Sequence, residues 1–591
     1  MEPDTKNLPH IPFELWREIF ANLPNRDVKS IRLTSKYFSH AAELRFDRVF
    51  LSPNPLNIEV FRAIADHENF RQQVKEIIWD DARLSRGPRR RTGMPGGESD
   101  ISDDETEEIA MSYNYRIRGL SKDLDWDFED EIHGFDSVCD DEDDEDSERE
   151  EYDLDELYHV RKGANFKNQN CPLWFKSGCL DSLEDIFERQ GFDSCISCDE
   201  PGFKTRKMIG ASGLPLGLCW EIYRELVWQQ DDVLASKSDE KALIYGLARF
   251  PALTKVTVTP AAHGVLWCPL YPTPMIRQLP HGFFYPIPRG WPLPRHAQDT
   301  EVEALPWSSL DEKNKERFHG FRVVTRALAQ QKNNVLELSL DARQIRTGVN
   351  CTIFDYPCEE YDNFAALLKA PGFRRLDLAL TIRGIHEAGE NWKSFRNGRL
   401  HKALSETVDM EDMRFYTAGI LYMYEGSEAN LNRYAAPVPL ASIFPFEKWT
   451  KIRNFELSRF IVQQDDVLSC LSRLPVTLRS LSLSFLTFAR QDHNWNTFLT
   501  AMRTAILERH LWPDQRPVVR IGVLKNTNLA GRDWWLEEEI NEFLYENGPH
   551  PFDTKGWTTF AIRQKKGRSI EKDALDPDYR LWEDYSLTLW E

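Results

Sequence analysis

Apolar residues near the start of the chain recur at helical spacing. Leu15, Ile19 and Leu23 follow one another at four-residue intervals, which predicts an amphipathic helix over residues 13–23. Pro12 suits the first turn of that helix, where its missing N–H costs nothing. The pattern therefore begins with a short helix that has one apolar side.

Two more short helices follow from the next residues. Pro24 ends the first helix, because the residue before a proline is pushed out of the α region. Asp27 and Ser35 are residue types that cap helix N-termini, so they predict a second and a third helix. Such a small bundle carries more apolar surface than it can bury within itself.

Further along, short apolar–polar alternations predict strands, and several of them follow a helix-like segment. A helix is expected over residues 57–67, and others over residues 362–370 and 464–475. The strand segments are residues 74–81, 253–259, 335–340, 373–380, 452–458, 478–485 and 518–524.

The order of helix and then strand, with the strand written L-x-x-L-x-L, is typical of a leucine-rich-repeat solenoid. The spacing is irregular, because the central residues of five strands lie 40, 77, 26 and 40 residues apart: Leu338, Leu378, Phe455, Leu481 and Ile521. Only one gap matches the usual repeat. An irregular, insertion-laden solenoid is expected, and an α/β domain of other topology is the alternative.

The stretch "LPHIPFELWREIFANLPNRDVKSIRLTSKYF", residues 8–38, resembles an F-box. The landmarks are Ile11-Pro12-x-Glu14-Leu15, Leu23-Pro24, Asp27-Val28 and Ser35-Lys36-x-Phe38, with Ile11 and Val28 standing where leucine is usual. The resemblance to the box covers under a tenth of the chain. Fungal F-box proteins often carry a degenerate repeat region behind the box, and the whole chain is similar to them in style.

The resemblance implies a three-helix module that inserts its apolar face into a Skp-family adaptor, which tethers it to a cullin–RING ubiquitin ligase. The adaptor-binding residues implied by the match are Leu8, Ile11, Pro12, Leu15, Trp16, Ile19, Leu23, Pro24, Val28, Ile31 and Leu33. The surplus apolar surface of the bundle would then be a partner's binding site.

Charge is concentrated in one segment. The net charge is −21, yet residues 98–156 alone hold 27 acidic and 4 basic residues, so the remainder is nearly neutral. Such a segment is too charged to bury anything and predicts disorder. No single-sign field elsewhere argues for nucleic acid or a membrane, and no apolar run reaches a membrane span of roughly 18 residues.

These features divide the chain into an α+β architecture of four parts. Residues 1–52 form the F-box, and residues 53–84 a linker helix with the first repeat-like strand. Residues 85–165 are expected to be a disordered basic and acidic insertion. Residues 166–591 form the irregular leucine-rich-repeat-like region that binds a substrate.

A segment dense in proline and aromatic residues spans residues 270–296. Proline removes a backbone donor and fixes φ, so a long ordered loop is expected there rather than a central strand or helix. Aromatic and arginine side chains on such a loop would make good recognition anchors. The alternative is that they only staple the loop down. The candidate substrate-binding residues are Tyr271, Arg277, Phe283, Tyr285, Arg289 and Trp291.

Other chemistry has weak support in the sequence. Cys195 and Cys198 form a C-x-x-C, as zinc sites use, but Cys171 and Cys179 are too far apart to complete the pattern, so ordinary thiols are the expectation. No P-loop, zinc-protease or nucleophile-elbow motif is present, so neither catalysis nor a cofactor is expected. An unrecognised catalytic site is the alternative.

Ten scattered cysteines suggest reduced thiols, and the N-terminus lacks the features of a signal peptide, so the cytoplasm or the nucleus is expected. The expected function is substrate recognition for a Skp–cullin–F-box ubiquitin ligase, with an unknown protein substrate and neither nucleic acid nor membrane as partner. The alternative is a scaffold or regulator that binds the Skp adaptor without sending a substrate to destruction.

Overall fold

The computed structural model describes residues 11–23, 25–87, 171–189, 213–292, 304–343, 345–382, 392–418, 437–490, 492–509, 515–523, 529, 531–552 and 570–575. The expected insertion, residues 85–165, lies outside these ranges except for its first three residues. Cys195 and Cys198 also lie outside them. The structure therefore tests neither the disorder prediction nor the zinc question.

Three helices open the described chain and form the N-terminal bundle: α1 Phe13–Ala21, α2 Asn25–Thr34 and α3 Lys36–Ala41. The first begins as expected after Pro12 and ends two residues earlier than the pattern suggested. Asp27 lies in the first turn of α2 rather than before it. Ser35 caps α3 as expected, because its side chain accepts a hydrogen bond from the Phe38 N–H at 3.1 Å.

The other helices lie between strands of the sheet or beside it. They are α4 Pro55–Asp66, α5 Glu68–Arg71, α6 Leu173–Arg189, α7 Leu216–Ser236, α8 Ser238–Leu247, α9 Pro274–Gln278, α10 Glu312–Lys315, α11 His319–Gln330, α12 Glu359–Leu368, α13 Lys393–Arg396, α14 Arg399–Leu404, α15 Gln464–Arg473, α16 Trp495–Arg509 and α17 Glu538–Tyr545. Single 3₁₀ turns occupy Trp307–Ser309, Glu316–Phe318, Cys351–Phe354 and Leu440–Ser442.

The strands are β1 Arg48–Leu51, β2 Glu76–Asp80, β3 Lys255–Thr259, β4 Glu337–Leu340, β5 Val349–Asn350, β6 Arg375–Thr381, β7 Asp412–Ala418, β8 Asn454–Ser458, β9 Ile461–Val462, β10 Ser480–Ser484, β11 Thr487–Phe488, β12 Val518–Val523, β13 Arg532–Leu536 and β14 Ile570–Asp573. All seven strands expected from the sequence are confirmed, as are the helices expected around residues 57–67, 362–370 and 464–475.

Twelve strands form one main sheet in the order β1-β2-β3-β4-β6-β7-β8-β10-β12-β13-β14, with β5 paired to β6. Pairing is parallel from β1 to β12, and β13 and β14 add on in antiparallel fashion. β9 and β11 make a separate parallel pair. Neighbours in the main sheet thus follow chain order.

Strand β7 was not expected, and it explains the irregular spacing. Leu378 on β6 aligns with Phe415 on β7, which aligns with Leu457 on β8. The long gap between two expected strands is therefore two intervals, each close in length to the gaps of 40 residues elsewhere in the sheet, with a strand between them. β1 was also missed, so the sheet begins before residue 52, inside the segment assigned to the F-box.

The core lies on one side of the main sheet. Alternate residues of the parallel strands point to that side and align across strands in two buried rows. These are Val256, Leu338, Leu376, Met413, Phe455, Leu481 and Val519, and then Val258, Leu340, Leu378, Phe415, Leu457, Leu483 and Ile521. Apolar residues of α11 and α12 belong to the same core.

A smaller hydrophobic cluster joins α6 and α7 to the loop that follows β3. These elements establish a mixed α/β body with a largely parallel sheet, and they do not by themselves confirm a leucine-rich-repeat solenoid. Among the described helices, none is both long and apolar enough to span a bilayer.

Candidate functional site

The N-terminal bundle has its own small core. Phe20, Val28, Ala41 and Ala42 are its buried apolar residues. The rings of Trp16, Phe20 and Phe38 pack on one another, with centroids 5.0–5.6 Å apart. Aromatic pairs at such separations add to the stability that burial supplies.

Arg45 fixes the end of α1. Its guanidinium donates hydrogen bonds to the carbonyls of Ala21 and Leu23, which have no partner inside the helix. Its backbone N–H donates to the Asn25 side chain at 3.0 Å, and Asn25 donates back to the Arg45 carbonyl at 2.6 Å. The turn between α1 and α2 is thus held from both sides.

The outer side of the bundle is apolar and exposed. Leu15 and Ile19, one turn apart on α1, keep 48% and 44% of their surface accessible, and Leu33 on α2 keeps 88%. Phe13 and Tyr37 are also exposed, with their rings 6.0 Å apart. Exposed large apolar groups that are close together mark interaction sites.

The residues implied as adaptor contacts differ in how much surface they offer. Pro12, Leu15, Ile19 and Leu33 are exposed, while Ile11, Trp16, Leu23 and Ile31 are half-buried. Val28 is fully buried and packs inside the bundle, so it offers no surface to a partner, and we leave it out of the candidate surface. Leu8 and Pro24 lie outside the described residues.

The segment rich in proline and aromatic residues departs from its expected role. Phe283, Tyr285 and Trp291 are almost completely buried. The Tyr285 hydroxyl lies 3.0 Å from Nδ1 of His263, and Trp291 Nε1 donates to Asp81 at 2.9 Å. These side chains hold the segment against the body, as the alternative interpretation proposed. The prediction that they anchor a substrate is therefore corrected, because they offer almost no surface to a partner. The reason is that the aromatic side chains of this loop pack into a hydrophobic cluster instead of pointing into solvent.

The other three candidates on this segment have different surroundings. Arg277 is exposed at the end of α9, which is itself a short helix within the expected loop, with Pro274 in its first turn. Tyr271 accepts a hydrogen bond from Arg343 at 2.8 Å. Arg289 donates to the Gly264 carbonyl at 2.7 Å, and burial lowers its pKa to about 10. The structure does not bring these six candidates together into one exposed site.

A surface that the sequence reasoning did not single out lies on the other side of the main sheet, opposite the core. Charged residues at alternate strand positions align there across six strands with alternating sign: Arg48, Glu76, Lys255, Glu337, Arg375 and Asp412. We call this side of the main sheet the polar face. Its signal was available in the polar positions of the expected strands.

Ion pairs connect neighbouring strands on the polar face. Glu76 lies 2.9 Å from Arg48 and 2.7 Å from Lys255. Burial acts to raise the pKa of Glu76, but hydrogen bonds from Lys255 and Thr257 outweigh it, so that pKa is lowered. The Glu76 carboxylate is therefore well compensated in its charged form.

A polar cavity of about 220 Å³ opens beside the Trp307 turn. Arg322 lies within it and pairs with Glu312 and Glu360, each at 2.9 Å. Cys358 also lines the cavity, and burial raises the pKa of its thiol, which makes it a poor nucleophile at neutral pH. Within the described ranges, no group of three or more His, Cys, Asp or Glu side chains is placed to hold a metal ion.

The family model of the F-box domain matches residues 8–45, which cover the N-terminal bundle. No curated protein matches the chain.

Proposed function

We propose, from the premise that this chain is an F-box protein, that it is the substrate-recognition subunit of a Skp–cullin–F-box ubiquitin ligase. In this role the N-terminal bundle binds a Skp-family adaptor and the region behind it binds a protein destined for ubiquitination. The chain itself supplies proximity and orientation rather than bond chemistry, and it acts in the cytoplasm or the nucleus.

The observation that carries the proposal is the exposed apolar surface of a bundle that matches the F-box domain. Leu15, Ile19 and Leu33 are held in place by a packed core behind them, so their exposure is a property of the folded bundle. Burying one such side chain against a partner contributes roughly 1.5–3 kcal/mol.

The main sheet supports the second half of the proposal. Its parallel strands follow chain order with helices between them, as in an irregular leucine-rich-repeat solenoid. Such an arrangement presents one continuous strand face, which here is the polar face. We propose that this region is a degenerate solenoid and that substrate binds to it.

The adaptor test uses a matched pair of variants. Leu15→Ala with Ile19→Ala removes two exposed side chains of α1. Leu218→Ala with Ile244→Ala removes two side chains of similar exposure on α7 and α8. The first pair of substitutions should lower capture of the Skp adaptor on the order of a hundredfold, because each truncated side chain loses binding free energy. The second pair should leave capture unchanged.

Thermal melting of both variants checks that the fold persists. Equal capture by both variants would overturn the adaptor assignment. Affinity purification with and without cullin and proteasome inhibition then tests the ligase role. Partners that accumulate only under inhibition support substrate delivery. Partners whose abundance does not respond support the alternative, a scaffold that binds the adaptor without degradation.

A further inference from the structure

Three carboxylates on the polar face lie on neighbouring strands: Asp377 on β6, Asp412 on β7 and Glu456 on β8. We call them the carboxylate cluster. Arg375 satisfies one side of it, with contacts of 3.2 Å to Asp377 Oδ2 and 3.3 Å to Asp412 Oδ2. The Ser339 hydroxyl also donates to Asp377 Oδ2 at 2.7 Å. One oxygen of each aspartate is thus paired.

The other oxygens converge on a single cation. Arg414 Nε lies 3.7 Å from Asp377 Oδ1, 3.6 Å from Asp412 Oδ1 and 3.8 Å from Glu456 Oε2. All three distances exceed a hydrogen bond, and both aspartate Oδ1 atoms are buried without a hydrogen-bond partner. Asp412 as a whole is only 8% exposed. One guanidinium is therefore shared loosely among three carboxylates.

Charge compensation within the carboxylate cluster is incomplete. Burial raises the pKa of Asp412 and of Glu456, and the neighbouring carboxylates act in the same direction against Arg414. Three negative groups face Arg375 and Arg414, while the next arginine on this face, Arg520 on β12, acts to lower the pKa of Glu456 but is itself paired with Glu537. By contrast, Glu76 on the same face pairs with both Arg48 and Lys255, and its pKa is lowered.

The surroundings of the cluster leave room for one more cation. The Arg414 side chain is 47% exposed and that of Glu456 is 26% exposed, so these two groups lie at a surface that a partner can reach, with the two aspartate Oδ1 atoms buried beneath them. The position beside Glu456 on β10 is the neutral Ser482, and Arg520, which follows in the same row on β12, is paired with Glu537.

We propose that the carboxylate cluster binds a basic segment of a partner protein, with a Lys or Arg side chain placed between Asp377, Asp412 and Glu456. The inference rests on the proposed function, since it names the substrate class that the polar face selects. An ammonium or guanidinium that displaces the loosely held Arg414 side chain would give the unpaired oxygens the charge-assisted hydrogen bonds that Arg414 does not supply. A negatively charged partner would add a fourth negative group to the site.

The test uses the full chain bound to its adaptor and a fluorescein-labelled peptide in which Lys alternates with Ser. Matched peptides carry Glu or Gln in place of Lys. Fluorescence anisotropy is measured for three variants: Glu456→Gln and Arg414→Gln in the cluster, and Glu447→Gln, which removes an exposed charge from the segment before β8.

The Lys peptide should bind, and the Glu and Gln peptides should not. Glu456→Gln should weaken binding on the order of tenfold, while Glu447→Gln, with the same change in net charge, should leave it unchanged. Arg414→Gln removes the competing cation and should strengthen binding on the order of tenfold. If Arg414→Gln melts early, the Glu456→Gln and Glu447→Gln pair still decides the question.

Several results would overturn the inference. One is that the Lys peptide does not bind. Another is that it binds equally to Glu456→Gln and Glu447→Gln, which would place the contact elsewhere, for example on the acidic residues 98–156. Weaker binding by Arg414→Gln would show that the arginine is itself the recognition group. Adaptor capture is measured on the same samples, so a chain that binds the adaptor but not the peptide refutes this inference alone.

Discussion

Leu15 and Leu483 are both leucines on regular elements of this chain, yet Leu15 is 48% exposed and Leu483 is fully buried. The first belongs to the N-terminal bundle, whose core holds few residues and whose outer side is apolar. The second belongs to the main sheet, which buries its apolar rows and presents charged residues on its polar face.

This difference separates two kinds of binding surface. Apolar contact is non-directional and strong per area, which suits attachment to a constant adaptor. Charged contact adds specificity and depends on the exact partner. In the function proposed above, the N-terminal bundle serves general attachment and the polar face serves selective recognition.

The largest expected effect is on the body of the sheet. Tyr285→Ala removes a buried ring and its hydroxyl contact to His263, so it should destabilise the fold by about 3–5 kcal/mol. Arg277→Ala on the same segment should change stability little, because Arg277 is exposed. Denaturant unfolding measures both. Adaptor capture should survive in each, since the bundle has a separate core. Loss of capture in Tyr285→Ala would show that the two regions are coupled.

A pH effect should come second, and only in the sheet. Burial raises the pKa of Asp80 from its ordinary value near 3.8 to about 7. The folded state thus binds a proton at Asp80 that the unfolded state releases, and the contribution of Asp80 to stability falls as pH rises from about 4 to 7, by at most roughly 1.4 kcal/mol per pH unit. Burial lowers the pKa of neighbouring His263 from 6.5 to about 3, so the contribution of His263 to stability rises with pH over much of the same range, and the effect of Asp80 is isolated by substitution.

Asp80→Asn removes this titration and should raise the melting temperature at pH 8 more than at pH 5. Its amide oxygen can still accept the hydrogen bond from the Ala82 N–H. Adaptor capture should not follow the same pH profile. Equal stabilisation at both pH values would contradict the raised pKa.

The bundle has a smaller but local weak point. Ser35→Ala removes the cap of α3 and should cost about 1 kcal/mol, within the usual 0.5–2 kcal/mol for such caps. Ser35→Asp keeps the capping oxygen and serves as the control. Hydrogen exchange of the Phe38 amide should rise in the alanine variant alone. If both variants exchange alike, the cap is not what holds α3.

The smallest effect separates the two surfaces by salt. Raising the ionic strength from about 0.05 M to 0.5 M shortens the Debye length severalfold. Binding of the Lys peptide to the carboxylate cluster should weaken severalfold, while capture of the adaptor should hardly change. A matching salt dependence for both would erase the distinction between apolar and charged recognition.

The sequence predicted most of the sheet but not its continuity. Strands such as β6 and β10 were visible because leucines alternate along them. β7 was missed, although Met413 and Phe415 alternate with Arg414 and Tyr416, because this strand contains no leucine. β13 and β14 depend on antiparallel pairing with distant partners, which local patterns do not contain.

The candidate surfaces were predicted unevenly for a similar reason. The periodicity of α1 identified Leu15 and Ile19 as one stripe, and the structure leaves both exposed. Aromatic content alone could not tell whether Trp291 faces solvent or core. The carboxylate cluster depends on the alignment of three strands, so it exists only once the pairing of β6, β7 and β8 is known.

The alternating charges of the polar face also bear on how the sheet avoids misfolding. A slip of one residue would turn apolar side chains outward, but a slip of two residues keeps them inside. Between β6 and β7 the native pairs are Arg375 with Asp412 and Asp377 with Arg414. A two-residue slip in one direction sets Asp377 against Asp412, and in the other Arg375 against Arg414. Like charges opposed in this way are destabilising, so the residues of the proposed binding surface also discourage the wrong strand alignments.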